Sequence, residues 1–183
     1  DREEDARHPT KRLRPIASGQ LSVPTAWLSA ALLAIAAFAL SWLLPRPPGA
    51  GLPPAPLSLA LYFAVNASYN AGLKRVVLAD VTCVALGFLI RVVSGPAAAG
   101  LEVSSWLVLC TFFGSLFLAL SKRRGELLAT GGGDGGRSVL KRYDERVLDH
   151  LVTLAGTATL LSYAIYSVSP ETVSKIGTRN LMY

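Results

Sequence analysis

Long segments without charged residues constrain the fold of this chain more than any other feature. Segments 26–44, 103–121 and 151–170 contain no Asp, Glu, Lys or Arg. Each is close to the ~20 residues that a helix needs to cross a ~30 Å hydrocarbon core. Within lipid the backbone must satisfy its polar groups internally, so these segments are expected to be helical. The pattern predicts an all-α fold, a multi-spanning transmembrane helix bundle.

Two further apolar segments extend this prediction to about five spans. Segment 57–73 contains no charged residue, and segment 76–99 carries Asp80 and Arg91 within an otherwise uncharged sequence. We expect a single membrane domain over residues 1–183. The chain opens within a charged motif, which predicts that it is a fragment of a longer protein.

The distribution of basic residues predicts the orientation of the bundle. The chain has 18 Lys and Arg against 12 Asp and Glu, and 14 of the 18 fall in alternate connections between the apolar segments. This asymmetry is typical of a multi-pass protein whose basic connections face the cytoplasm. Anionic lipid headgroups and phosphates are sufficient partners for these cations, so no nucleic-acid partner is expected.

An acidic cluster opens the sequence. Asp1 and Asp5 are four residues apart and would share one face of a helix that ends near Pro9. Negative charge is unfavourable at a helix C-terminus, so a cation should compensate it. The residue pattern leaves two candidates open, which are the following basic residues Lys11 and Arg14 or a Mg²⁺ ion.

Asp80 and Arg91 are ionisable residues inside a predicted span, and such residues are functional candidates by default. Eleven residues bring both to nearly the same helix face but about 16 Å apart along the axis, too far for a direct pair. Each therefore needs its own partner or a shared aqueous cavity. Positions at the membrane interface, with Arg91 extending towards water, are the alternative interpretation.

Further charged and polar residues cluster at the cytoplasmic ends of the spans. They suit a phosphate-binding mouth, although three adjacent cations are also typical of an ordinary stop-transfer anchor. A carboxylate-held metal beside cations would stabilise a diphosphate leaving group. The candidates are Tyr69, Lys74, Lys122, Arg123 and Glu126.

The connection before the last apolar segment has two parts. Residues 131–136 read Gly-Gly-Gly-Asp-Gly-Gly, which is typical of a flexible linker. Residues 137–150 mix charged residues with Val139, Tyr143 and Leu148. This mixture predicts an amphipathic helix on the membrane surface.

Residues 1–19 resemble the first Asp-rich motif of the UbiA superfamily of intramembrane prenyltransferases. That motif reads Asn-Asp-x-x-Asp-x-x-x-Asp, followed by His-Pro-x-Lys and Arg-Pro-Ile. Here the corresponding sequence is Asp-Arg-Glu-Glu-Asp-Ala-Arg-His-Pro-Thr-Lys-Arg-Leu-Arg-Pro-Ile. Asp1 matches the second aspartate and Asp5 the third. The resemblance continues through segments 69–91 and 114–127.

The resemblance implies a fold of nine transmembrane helices, of which this chain would lack the first, most of the second and the last two. Ordinary members carry a second Asp-rich motif where this chain has Lys122, Arg123 and Glu126. In this respect the chain is similar to the branch that transfers a phosphoribosyl group from phosphoribosyl diphosphate to a polyprenyl phosphate. A Mg²⁺-dependent prenyltransferase using a polyprenyl diphosphate is the alternative. A non-enzymatic membrane transporter is the alternative from another class.

By resemblance each candidate residue receives a role. Asp1 and Asp5 would bind Mg²⁺, and Asp80 would act in catalysis on the ribose hydroxyl groups. The expected location is a bacterial plasma membrane with the site on the cytoplasmic face, and a homo-oligomer is left open. The expected substrate-binding residues are Lys11, Arg14, Tyr69, Lys74, Arg91, Lys122, Arg123 and Glu126.

Overall fold

A computed structural model describes residues 2–7, 11–44, 55–130, 139 and 143–176. The described chain forms helices, which are α1 (Arg2–Arg7), α2 (Val23–Leu43), α3 (Ala55–Ala71), α4 (Ala79–Ala99), α5 (Ser105–Thr130), α6 (Glu145–Val168) and α7 (Pro170–Ile176). Contacts divide the chain into two compact units, residues 1–44 and residues 45–183. The single membrane domain expected over the whole chain stays a prediction, and the predicted linker 131–136 lies outside the described residues.

The first unit contains α1, a 3-10 turn at Lys11–Leu13, and α2. Helix α2 begins after Ser22, whose hydroxyl accepts a hydrogen bond from the Thr25 backbone N–H at 3.3 Å. Pro24 lies in the first turn, where its missing N–H leaves no unpaired donor. Large apolar side chains along α2, including Leu32 and Leu33, are exposed within this unit.

In the second unit the helices pack in chain order, α3 on α4, α4 on α5, and α5 on α6. Helices α5 and α6 approach closely because Gly156 faces the Phe117 ring. A Cβ at Gly156 would lie 3.3 Å from two carbons of that ring. The core cluster of this unit comprises Val81, Leu120, Val139, Tyr143, Leu148 and Ala155.

Among the described residues, four helices are long and apolar enough to cross a membrane, which are α2, α4, α5 and α6. The prediction of a helical multi-spanning bundle is thereby confirmed. The remaining apolar segment forms α3, whose 17 residues place it at the short end of the ~17–25 residues seen in transmembrane helices.

Residues with a positive φ mark both ends of α4. Leu78 precedes the helix with a φ of 66°, a conformation uncommon for a residue other than glycine. At the other end Gly100 adopts a left-handed conformation with a φ of 70°. The backbone N–H groups of Gly100 and Leu101 donate to Ala97 and Pro96 respectively, which closes the helix with a Schellman motif.

The prediction of a surface helix over residues 137–150 is wrong for the residues that the structure describes there, 139 and 143–150. Asp144 caps α6 by accepting from the Arg146 and Val147 backbone N–H groups at 2.8 and 3.2 Å, so residues 145–150 are the first turns of the spanning helix. Tyr143 and Leu148 are buried in the core rather than placed on a membrane surface. The apolar residues among these charges are buried against protein because α6 packs along α5.

Candidate functional site

A buried ion pair joins α4 to α5. Asp80 lies in the first turn of α4 and has no exposed surface. Arg123 lies in the last third of α5, and only 5 % of its side chain is exposed. The Arg123 Nε–H donates to the Asp80 Oδ2 at 2.6 Å. Because α4 begins and α5 ends on this side of the unit, the pair marks one end of the helix bundle.

A second carboxylate also pairs with Arg123. The Nη1–H of Arg123 donates to Glu126 Oε2 at 2.9 Å, across less than one turn of α5. Glu126 is half-buried, so the cluster opens towards its surroundings on that side. A charge taken out of water is costly unless it is paired and hydrogen-bonded. Arg123 meets that condition with Asp80 and Glu126.

Tyr143 completes the cluster and was not predicted as a site residue. Its hydroxyl donates to Asp80 Oδ1 at 2.7 Å and accepts from the Leu78 backbone N–H at 2.8 Å. Both Asp80 oxygens are therefore engaged. Burial, and after it the hydrogen bond to Asp80, raise the pKa of the Tyr143 phenol above its ordinary value. The hydroxyl consequently remains a proton donor at neutral pH.

Other predicted site residues surround this cluster. Tyr69, in the last turn of α3, interacts electrostatically with the Arg123 guanidinium. Lys74 lies in the 3-10 turn Leu73–Arg75, between α3 and Leu78. Lys122 is exposed next to Arg123. The structure thus brings Tyr69, Asp80, Arg123 and Glu126 together, with a basic turn preceding α4.

Arg91 belongs to a different part of α4. Its guanidinium bonds the Tyr62 hydroxyl of α3 and stacks over the Tyr62 ring at 4.7 Å from the centroid. The Phe88 ring lies 5.9 Å from the same group. Asp80 and Arg91 were predicted to need either separate partners or a shared aqueous cavity, and the structure gives each residue its own partners. Arg91 is exposed within the unit, and its predicted role in substrate binding stays a prediction.

In the first unit Arg14 compensates the acidic helix end. Its Nη1–H donates to Asp5 Oδ2 at 2.9 Å, with 17 % of the Asp5 side chain exposed. This pair supplies the cation that the helix dipole requires. Asp1 lies outside the described residues, as does the Lys11 side chain, so their predicted roles stay predictions.

Asp5 is the described member of the predicted metal-binding pair, so the fit to a metal ion is judged from its surroundings. Within the described residues, which omit Asp1, no group of three or more His, Cys, Asp or Glu side chains could hold a metal ion. Mg²⁺ in phosphate-transfer sites takes one or two carboxylates and completes its shell with water and substrate phosphate oxygens. A partly exposed Asp5 suits that sparse donor set.

Sequence reasoning missed Tyr143 because its neighbours are charged, which favoured a surface interpretation. One available signal was the sequence Tyr143-Asp144-Glu145, in which an Asp precedes an acidic first turn and so predicts a helix cap. A cap at Asp144 begins the spanning helix earlier and places Tyr143 at the end of the bundle.

Fold and site together define a helical integral membrane protein with a charged cluster buried at one end of its helices. The model of the UbiA prenyltransferase family matches residues 1–124. The chain belongs to the UbiA prenyltransferase family, and the resemblance seen in its motifs is confirmed.

Similar curated proteins narrow the comparison. A decaprenyl-phosphate phosphoribosyltransferase of Mycolicibacterium smegmatis is 38% identical over 97% of this chain and 54% of its own length. A protein of the same name from Corynebacterium glutamicum is 38% identical over 91% of this chain and 49% of its own length. A protein of the same name from Mycobacterium tuberculosis is 34% identical over 91% of this chain and 53% of its own length. The chain therefore spans about half the length of these relatives.

Proposed function

We propose that this chain is part of an enzyme that transfers a phosphoribosyl group from phosphoribosyl diphosphate to a polyprenyl phosphate. The observation that carries the proposal is 34–38% identity to proteins named decaprenyl-phosphate phosphoribosyltransferase, extending over 91–97% of this chain. The exposed cation Lys122 also suits a phosphorylated acceptor, since phosphate binds best to charged donors.

A prenyltransferase is the second candidate, because the matching family model is that of prenyltransferases. Its donor would be a polyprenyl diphosphate and its acceptor an aromatic or lipid molecule. Both reactions release diphosphate, so they need the same cationic surroundings. They differ in the group that is transferred and in the charge of the acceptor.

In the proposed reaction an acceptor phosphate oxygen forms a bond to the anomeric carbon of the ribose. The bond from that carbon to the diphosphate oxygen breaks, and its electron pair leaves with the diphosphate. Positive charge develops on the ring as in an oxocarbenium ion. Catalysis then depends on positioning both reactants and on stabilising the departing negative charge.

The candidate residues fall into two groups according to the unit in which they lie. Asp5, together with Asp1, would hold Mg²⁺, which when bound supplies positive charge beside the diphosphate. Arg14 and Lys11 follow these carboxylates in sequence and would bind phosphate oxygens. In the second unit the candidate phosphate-binding cations are Lys74 and Lys122, whereas Arg123 is held by its carboxylate partners.

We place the protein in a bacterial plasma membrane, with this site on the cytoplasmic face. The support is the asymmetry of the basic connections, since 14 of 18 Lys and Arg residues fall on one predicted side. Phosphoribosyl diphosphate is a water-soluble, highly charged donor, and its binding requires an opening to water. The cluster at one end of the bundle meets that requirement better than a midplane site.

The test uses membranes containing the full-length protein, Mg²⁺, polyprenyl phosphate and radiolabelled phosphoribosyl diphosphate. Label should enter the lipid fraction, and a chelator should abolish its appearance. Transfer from a polyprenyl diphosphate to an aromatic acceptor, without phosphoribosyl transfer, would assign the protein to the prenyltransferase branch. Failure of both transfers would refute the enzymatic proposal.

The Asp5→Asn variant tests the metal assignment within the same assay. Losing a carboxylate ligand should lower transfer by about a hundredfold or more, because a metal contributes several kcal/mol to the transition state. Glu102→Gln is the matched control, since Glu102 is exposed between α4 and α5. Equal transfer by Asp5→Asn and the control would exclude Asp5 as a metal ligand.

A further inference from the structure

Tyr143 connects three elements of the second unit, which are α4, α5 and the segment that leads into α6. Its hydroxyl bonds Asp80 in α4 and the backbone N–H of Leu78 before α4, while its ring is 7 % exposed in the core. Asp80 in turn holds Arg123 of α5. One hydroxyl group therefore links the entry to α6 with the start of α4 and, through Asp80, with the basic end of α5.

We infer that Tyr143 is a positioning residue, whose hydroxyl fixes the start of α4 and the Asp80–Arg123 pair in the arrangement that binds the diphosphate group of the donor. The inference deepens the proposed function and rests on one part of it, namely that the donor carries a diphosphate group. Both donors considered above meet this condition. Tyr143 acts through Leu78, Asp80 and Arg123, so no contact between Tyr143 and the donor is required.

The Tyr143 hydroxyl acts on the backbone just before α4. Leu78 has a φ of 66° and no side-chain cap, and residues in this region persist only where their surroundings hold them. The Leu78 N–H finds its acceptor in Tyr143. Four residues earlier, Lys74 lies in a 3-10 turn closed by the Arg75 N–H donating to Gly72. Holding Leu78 thus restricts the path of the basic turn.

The same geometry argues against direct substrate contact by Asp80. The residue has no exposed surface, and its two oxygens accept from Arg123 and Tyr143 at 2.6 and 2.7 Å. A carboxylate held in this way orients a guanidinium and raises the precision of its placement. Removing the Tyr143 hydroxyl frees one Asp80 oxygen and leaves the Leu78 N–H without this acceptor.

The experiment measures how tightly the purified full-length protein binds inorganic diphosphate in the presence of Mg²⁺. Calorimetry compares three proteins: the wild type, the Tyr143→Phe variant and the control variant Leu148→Ala. Leu148 is fully buried in the same core cluster but has no polar side-chain atom. We expect diphosphate binding to weaken about tenfold in Tyr143→Phe. In Leu148→Ala it should change less than about twofold, although core truncation lowers its melting temperature.

A second measurement tests the route through the basic turn. Lys74→Ala should weaken diphosphate binding, and the effects of Lys74→Ala and Tyr143→Phe should not add in the double variant. Full additivity would exclude positioning of Lys74 by Tyr143. Unchanged binding in Tyr143→Phe, or equal weakening in Tyr143→Phe and Leu148→Ala, would overturn the inference as a whole.

These outcomes separate the inference from the proposed function. A wild-type protein that binds diphosphate but transfers no phosphoribosyl group would refute the proposed reaction, and the variants would still decide the role of Tyr143. A wild-type protein that does not bind Mg²⁺ and diphosphate would overturn the inference directly.

Discussion

At the scale of single residues, two neighbouring arginines of α5 have opposite environments. Arg123 is buried between Asp80 and Glu126, whereas Arg124 pairs with Asp149 while 42 % of its side chain is exposed. Sequence alone presents both as members of one basic cluster. Only the packing of α4 and α6 on α5 decides that one cation is enclosed and the next is solvated. Charge type was therefore predictable here, and burial was not.

This contrast predicts different stabilities for variants of the two pairs. Asp80→Ala should lower the free energy of unfolding by about 3–5 kcal/mol, because it removes a partner from a buried charge. Arg124→Ala should leave the free energy of unfolding nearly unchanged, as is usual for exposed pairs. Denaturation of both variants in detergent measures the difference. Similar values for the two would contradict the buried pair.

Tyr143 also carries a pH prediction. Its pKa is raised above the ordinary value of about 10 because burial, then the bond to Asp80, disfavour the phenolate. A raised folded-state pKa means that the stability due to the hydroxyl is fully present below the unfolded pKa and is lost as pH rises through the folded pKa.

The stability difference between wild type and Tyr143→Phe should therefore be constant from about pH 6 to about pH 9 and shrink above about pH 10. Thermal unfolding of both proteins across this range provides the measurement. A difference that shrinks already near neutral pH would show that another titrating group is responsible.

At the scale of the helices, the apolar segments were sufficient to predict which parts of the chain are helical. The boundaries were less predictable, because they depend on contacts from elsewhere in the chain. Helix α4 begins at Ala79, after a left-handed Leu78 held by Tyr143 from 65 residues away. No local signal marks this position. The start of α6, by contrast, follows from its own Asp144 cap, which the sequence contains.

The close approach of α5 and α6 gives a prediction at this scale. Gly156→Val should lower stability by about 1–3 kcal/mol, because the added side chain meets the Phe117 ring. Gly125→Val is the matched control, since a Cβ at Gly125 meets nothing within 4 Å. Unfolding of the two variants in the same detergent compares them. Equal stability of both would mean that α5 and α6 are not packed as closely as described.

At the scale of the whole molecule, the chain spans about half the length of the curated relatives that it matches. The exposed apolar side chains of α4 and α5, such as Phe88 and Leu118, fit either lipid or additional helices. The cluster lies at one end of the α4–α5 hairpin, so the orientation of this hairpin decides the side of the membrane on which the cluster lies.

The orientation of this hairpin can be tested with single cysteines in the full-length protein. The native Cys83 and Cys110 are free thiols and are first replaced by Ala. Because basic connections stay inside, a cysteine at Arg75 should react with a membrane-impermeant maleimide only after bacterial cells are opened. A cysteine at Glu102, exposed at the other end of the hairpin, should react in intact cells. Labelling of the cysteine at position 75 in intact cells would place the cluster on the external side of the membrane, where a cytoplasmic diphosphate donor could not reach it.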